Sequence, residues 1–528
     1  MQLTNYQLIV FLVLLLLLGL LALFSLAKPL LRYVVNRIID DIMSKLLTED
    51  YDQNLFELYP SLKRLSVLNL VEMSLRAETG KIVTRPLGSP KRFPGFDQLM
   101  FSPRQMTKLS LPENASIDMD VILGIQADKP LTVKIPLLIG GMAYGLALSE
   151  EAKLALARAS KLLQTATCSG EGPFLPEEPE EAGKFILQIC RWPTWGARTD
   201  QEIATADMLE VQMGQGADVG PTSVEAVNFE GRAQQLSGLA PNEPAVALPA
   251  PPGVQSEADW PDFMRDLRQR ANGIPIALKI MATDRLEEEL SVAVSLGFDV
   301  IMIDGAGGGS HATAPVKQDD FGIPILYALK RAKRYLQDKP ISLIVSGGFF
   351  TPGQCLKALA LGADAIYLGT IPLLALTHNQ VDKATPWEPP TTLVYYNSPA
   401  KTQLDIDQAA ISVTNVLTSM VLEMEEAMRA LGKSSLQELG PEDLIALDTL
   451  TASMTGVKLV SDATSPPADK TLDQLCSALQ QAYRLVNVME VLLAGLSTNH
   501  FSDPLSKKAP VSPAARKKKL KAGTSTGN

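Results

Sequence analysis

The chain has 528 residues, 46% of them hydrophobic and 20% charged, with a formal net charge of −10 and a pI near 5.1. This is a globular composition, about three domains' worth at roughly 150 residues each, and the acidic balance argues against a general nucleic-acid binder. Four well-separated cysteines (Cys168, Cys190, Cys355, Cys476) and three histidines (His311, His378, His500) leave no CxxC pair and no zinc-type ligand spacing.

The chain opens with YQLIVFLVLLLLLGLLALFSLA, Tyr6 to Ala27, without a charge before Lys28. As a helix this run is roughly 33 Å long, enough to span a bilayer. Residues 1–27 are therefore expected to be a single-pass membrane anchor that contacts lipid. Lys28, Arg32 and Arg37 follow directly, while residues 1–5 carry no basic side chain, so the bulk of the protein is expected in the cytoplasm. Residues 28–130 read as a mixed pre-barrel segment.

From residue 131 to 380 short apolar runs alternate with amphipathic stretches. Strands are predicted at 135–139, 165–168, 185–191, 208–213, 274–280, 300–304, 341–346 and 365–369. Helices are predicted at 149–162, 260–271, 285–296, 325–336 and 353–361. Eight such strands interleaved with helices suit an α/β fold, a (β/α)8 TIM barrel. The stretch Gly220–Pro249, rich in Gly and Pro and poor in helix signals, reads as an insertion over the barrel rim. Residues 381–501 are expected to be mostly helical, including 407–431 and 471–493. The tail 502–528, with Arg516-Lys517-Lys518-Lys519, is expected to be disordered and basic.

Several predicted strands end in glycine or polar residues: Gly140-Gly141-Met142, Lys279, Asp304-Gly305, Ser346-Gly347-Gly348 and Gly369-Thr370. Barrel chemistry gathers at this end of the strands, and the last two glycine turns are of the kind that bind phosphate. Lys279 lies inside the apolar strand IPIALKIM, where a charged head needs an anion or solvent. His311, in DGAGGGSHATAP, is either a proton donor or a structural loop residue.

At these residues the chain resembles the FMN-binding glutamate synthase family. PLLIGGMAYGLALSEEAKLALARAS, TCSGEGP, LEVQMGQGADVG, ALPAPPG, IALKI, DGAGGGSHATAP, SGGFFTPGQCLKALALGADAIYLGT and ALGKSSLQEL occur in the family's order, from about Thr84 to Asp448. The resemblance implies FMN as cofactor, with Gly141, Met142 and Ala143 against the flavin ring and Lys279 at its N1/O2 edge. It implies that Ser346, Gly347, Gly348, Gly369 and Thr370 hold the phosphate and that Glu171 and Gln215 lie near the substrate. It implies catalytic roles for Lys279, His311 and Gln215 in reducing the 2-imino acid formed from 2-oxoglutarate and ammonia.

The departures from the family pattern are specific. The iron–sulfur cysteines expected after the eighth strand are replaced by LLALTHNQVDKATPWEPP, so no iron–sulfur cluster is expected and electrons must come from an unidentified donor. Asp218 stands where the family has a lysine, reversing a charge near the expected dicarboxylate. The expectation is thus a membrane-anchored FMN oxidoreductase acting on a small-molecule substrate. The alternatives are a flavin-binding scaffold or sensor without turnover, and a barrel that binds a phosphorylated substrate without flavin.

Overall fold

The computed structural model describes residues 5–220, 222–462, 477–486 and 489. Its centre is a closed, all-parallel eight-stranded barrel in sequential order. The strands are β1 (Leu137–Ile139), β2 (Ala166–Cys168), β3 (Lys184–Ile189), β4 (Met208–Gln212), β5 (Ile276–Met281), β6 (Val300–Asp304), β7 (Ser342–Ser346) and β8 (Ala365–Leu368). β8 pairs with β1 through Leu368↔Ile139, and β4 with β5 through Leu209↔Ile276, so no sheet edge is left open. The eight predicted strands are the eight barrel strands, and only their ends move by one or two residues.

Side-chain alternation decides what the barrel encloses. In β5, Ile276, Leu278 and Ile280 face out and join the core shared with the helices. Ala277 faces in, among Leu138, Cys168, Ile186, Met208, Val300, Met302, Ile344 and Tyr367. The two-residue period then turns Lys279 inward as well. An antiparallel hairpin, 121–123 with 131–133, adds Val121, Leu123, Leu131 and Val133 to this inner cluster. The hairpin thus plugs the N-terminal end of the barrel, and polar residues are left to the opposite end.

The outer layer follows from ordinary helix signals. The helix Glu150–Leu162 starts at Ser149, whose Oγ accepts from the Ala152 N–H, with Glu150 and Glu151 in the first turn. It buries Ala152, Ala155, Leu156 and Ala159 and packs along the Ile406–Ala430 helix. Trp260–Ala271 and Ile325–Leu336 form as predicted.

Other expectations need correction. The apolar N-terminal helix, α1 (Asn5–Thr48), runs well past Ala27. Residues 99–101 of the pre-barrel segment pair with 444–446 of the chain after the barrel. Residues 381–405 form short 3-10 turns and loops rather than helix, because Pro386, Pro389, Pro390 and Pro399 interrupt them. The 220–249 stretch contains a small hairpin, 223–224 with 245–246, and the helix Arg232–Ser237. The predicted helix 471–493 and the basic tail lie mainly or wholly outside the described residues.

Candidate active site

At the C-terminal ends of the strands lies a cavity of about 460 Å³, within the usual range for small-ligand sites. It is lined by Gly141, Met142, Ala143, Glu171, Gln215, Asp218, Lys279, His311, Ser346, Gly347, Gly348, Gly369 and Thr370. The structure therefore brings every site residue named from the sequence to one place. It adds Gln188, Tyr367, Thr84, Leu87, Tyr395 and Asn397, and places Asp304 beside them.

The first turn, Gly140–Ala143, is held by a buried cation. Lys153 Nζ donates to the carbonyls of Met142 (2.8 Å), Cys168 (3.1 Å) and Ser169 (3.1 Å) and pairs with Glu178 Oε1 at 2.8 Å. Opposite Gly141 the packing is close. A Cβ there would stand 2.9 Å from Gln188 Nε2 and 3.0 Å from Cys168 Sγ. The turns after β7 and β8 are different. At Gly348 (φ +90°) the nearest atom to an added Cβ is 3.6 Å away, and at Gly369 nothing lies within 4 Å. These two glycines thus border open space where a ligand can approach the backbone, with Ser346 and Thr370 hydroxyls beside them.

Lys279 is 3% exposed, and its charge acts on Asp304, Glu171 and Asp218. Asp304 Oδ2 accepts from the Gly216 N–H at 3.0 Å, and burial pushes this carboxyl up to about 6 despite Lys279. Gln215 and Asp218 pair across a tight hairpin whose turn carries Ala217 at φ +67°. Asp218 is buried, which raises its pKa, and lies 3.9 Å from Lys317 Nζ. Burial, then the Asp218 charge, push Glu171 up to about 7 against the pull of Arg191 and Lys279. Glu171 Oε2 is a buried oxygen without a hydrogen-bond partner. His311 packs its ring 4.6 Å from that of Tyr395, and burial lowers its pKa, so the imidazole is neutral at pH 7.

Three contributors carry no signal in the sequence. Arg191 ends a predicted strand in the sequence; it is fully buried, Nη1 donates to the Gly220 carbonyl at 2.7 Å, and its charge offsets the Glu171–Asp218 pair. Tyr395 and Thr84 come from segments far from the barrel strands in sequence, where no local pattern signals them. Cys168 and Cys190 are fully buried, as small core residues.

Residues 94–434 match the family model described as the conserved region in glutamate synthase. The chain belongs to the glutamate synthase family. Among its relatives, the glutamate synthase large subunit-like protein of Rhizobium meliloti (strain 1021) is 31% identical over 431 residues, 75% of this chain and 94% of the relative. The archaeal-type glutamate synthase (NADPH) of Dehalococcoides mccartyi is 27% identical over 387 residues, 69% of this chain and 77% of the relative. A solved structure, a soluble mutant of the membrane-associated (S)-mandelate dehydrogenase from Pseudomonas putida, aligns over 66% of this chain and 88% of its own, at 17% identity and a TM-score of 0.44.

Proposed function

We propose that this enzyme is a membrane-anchored, FMN-dependent oxidoreductase that reduces a 2-imino acid, formed from a 2-oxo acid and ammonia, to the amino acid. The observation that carries the reading is the meeting of a buried lysine, Lys279, with two glycines that border open space, Gly348 and Gly369, in one cavity. FMN, when bound, supplies the hydride. The chain's residues fit such a group: Ser346, Gly347, Gly348, Gly369 and Thr370 would hold the phosphate. Gly141, Met142 and Ala143 would line the ring, and Lys279 would favour negative charge on it.

Glu171, with a pKa near 7, can hold a proton at Oε2 at neutral pH and pass it to a substrate nitrogen. Gln215 can orient the substrate by hydrogen bonding. His311, neutral, can donate only the one proton of its imidazole. Relatives named as glutamate synthases support an amino acid as product. Asp218 disfavours a second substrate carboxylate on its wall, which points to a 2-oxo acid other than 2-oxoglutarate. The same residue supports a second reading, a flavin-binding scaffold or sensor without turnover.

The anchor is supported by α1, whose apolar part reaches a mean hydropathy of 3.2 and is unburied. With the barrel in the cytoplasm, a membrane-bound or membrane-dissolved donor would supply electrons in place of a cluster. The test is the absorption spectrum of the full chain purified in detergent without added cofactor, followed by release and identification of any flavin. Stoichiometric FMN is expected, and a colourless protein that takes up no added FMN overturns the reading. Bound FMN with no amino acid formed from any 2-oxo acid, ammonia and a chemical reductant favours the scaffold.

A further inference from the structure

Part of the cavity wall is chain from the N-terminal region, just after the helix Val67–Thr79. Residues 84–91 cross the loop after β6: Arg85 and Thr313 exchange backbone hydrogen bonds, and the Leu87 N–H donates to the Ser310 carbonyl at 3.1 Å. Thr84 and Leu87 line the cavity together with Gly309, Ser310 and His311. The Arg85 guanidinium ties the crossing at three points: Gln318 Oε1 (2.7 Å), Asp319 Oδ1 (2.6 Å) and Glu72 Oε1 (3.0 Å). Glu72 is the one buried residue of the helix Val67–Thr79. That helix, the crossing strand and the cavity's own loop are therefore clasped into one body by a partly buried ion network.

The rest of this N-terminal region is amphipathic and uncovered. In Val67–Thr79, Val67, Val71 and Leu75 recur every four residues as one stripe, 49–63% exposed. Before it, Leu31, Val35, Ile38 and Ile42 form a similar exposed stripe in the part of α1 beyond Pro29. Exposed apolar side chains continue onto the cavity rim itself, at Leu87, at Val316 beside the clasp and at Phe350. Exposed apolar residues scattered singly need no explanation, but stripes on successive amphipathic elements do. Across both stripes, residues 28–92, the chain carries eleven Lys and Arg against eight Asp and Glu.

Resting on the membrane anchor proposed above, we infer that these stripes lie on the anionic surface of the same bilayer that α1 enters, and that they hold the cavity mouth against it. Three observations select lipid over another occupant. The stripe at Leu31–Ile42 continues the apolar span within α1 itself, the exposed Lys63, Arg64, Lys81 and Arg92 around the second stripe suit anionic headgroups, and Pro29 lies where the helix would turn from spanning to surface-lying. The consequence is access. An apolar, lipid-dissolved reductant reaches the rim at Leu87 and Phe350 without crossing water, whereas a soluble dinucleotide would have to enter between protein and headgroups.

The test uses the full chain with Cys476→Ser, since Cys168, Cys190 and Cys355 are buried, in nanodiscs of phosphatidylcholine and phosphatidylglycerol. Spin labels are placed singly by Leu17→Cys, Val71→Cys, Leu75→Cys and Asp338→Cys, the last on an exposed turn near the start of β7. Relaxation by oxygen and by a water-soluble nickel chelate is compared. The expected result is an oxygen-to-nickel ratio several-fold higher at positions 17, 71 and 75 than at 338. Ratios at 71 and 75 equal to that at 338, with 17 still oxygen-favoured, leave the anchor standing and overturn this inference. A nickel-accessible label at 17 overturns the anchor itself. Labels at 71 and 75 shielded from both reagents, or spin-coupled between copies, mean that protein covers the stripe and also overturn it.

Discussion

Replacing Lys153 by methionine is the sharpest test of how the first rim turn is built. The ammonium is completely buried, as is the Glu178 carboxylate it meets at 2.8 Å, with side-chain exposures of 0% and 2%. Methionine fills much the same volume but leaves Glu178 without its partner and the carbonyls of Met142, Cys168 and Ser169 without their shared donor. Breaking a buried pair from one side costs about 3–5 kcal/mol, a large part of a domain's roughly 5–15 kcal/mol stability. At about 2–4 °C per kcal/mol for a domain of this size, Tm measured by near-ultraviolet circular dichroism should fall by roughly 10 °C.

The loss should also depend on pH. Burial already raises the pKa of Glu178 against the pull of Lys153, so without the lysine the carboxyl escapes part of the penalty by taking a proton. The Tm difference should therefore be larger at pH 8 than at pH 5. Lys153→Met combined with Glu178→Leu should recover a good part of the loss, because no charge is then left buried. A single variant within about 1 kcal/mol of the parent at both pH values would refute the argument.

Other consequences are equally direct. Gly172→Ala would place a Cβ 2.1 Å from the carbonyl oxygen of Tyr144, a backbone atom in buried surroundings. It should cost more than the roughly 1–3 kcal/mol of ordinary overpacking, and an unchanged Tm would count against the close approach. Because Glu171 has a folded pKa near 7 and an ordinary value of 4.5, the folded state holds the extra proton between those values. Its contribution to stability is thus lost as pH rises from about 4.5 to 7, and Glu171→Gln should remove this slope from a plot of Tm against pH. Lys279→Met should weaken FMN binding about 10-fold or more, read by fluorescence titration, as expected for loss of a charge-assisted contact; unchanged affinity would remove Lys279 from the site. Asp218→Lys should tighten 2-oxoglutarate binding by calorimetry, and no change would show that this position does not face the substrate.

The sequence by itself determined the barrel and the list of glycine turns. Each strand is a short β-branched or apolar run set between amphipathic helices, and that pattern is local, so its eight members were legible one by one. Gly140–Met142, Ser346–Gly348 and Gly369-Thr370 were legible for the same reason: a turn that brings backbone close to a ligand must be written in glycine at that position. What only the tertiary structure decided is what meets what across the rim. Lys279 could be seen as a charge in an apolar strand, but its inward direction follows from the alternation that also turns Ala277 into the barrel. Arg191 ends a predicted strand, but its charge acts on Glu171 and Asp218. Thr84 and Tyr395 reach the cavity from segments hundreds of residues apart in the chain, the first held there by the Arg85 clasp to Asp319 and the second in contact with His311. Local patterns record what one stretch of backbone needs from its own side chains. Charge partners across a closed barrel are set by which loops its closure brings together, and no stretch of sequence carries that information alone.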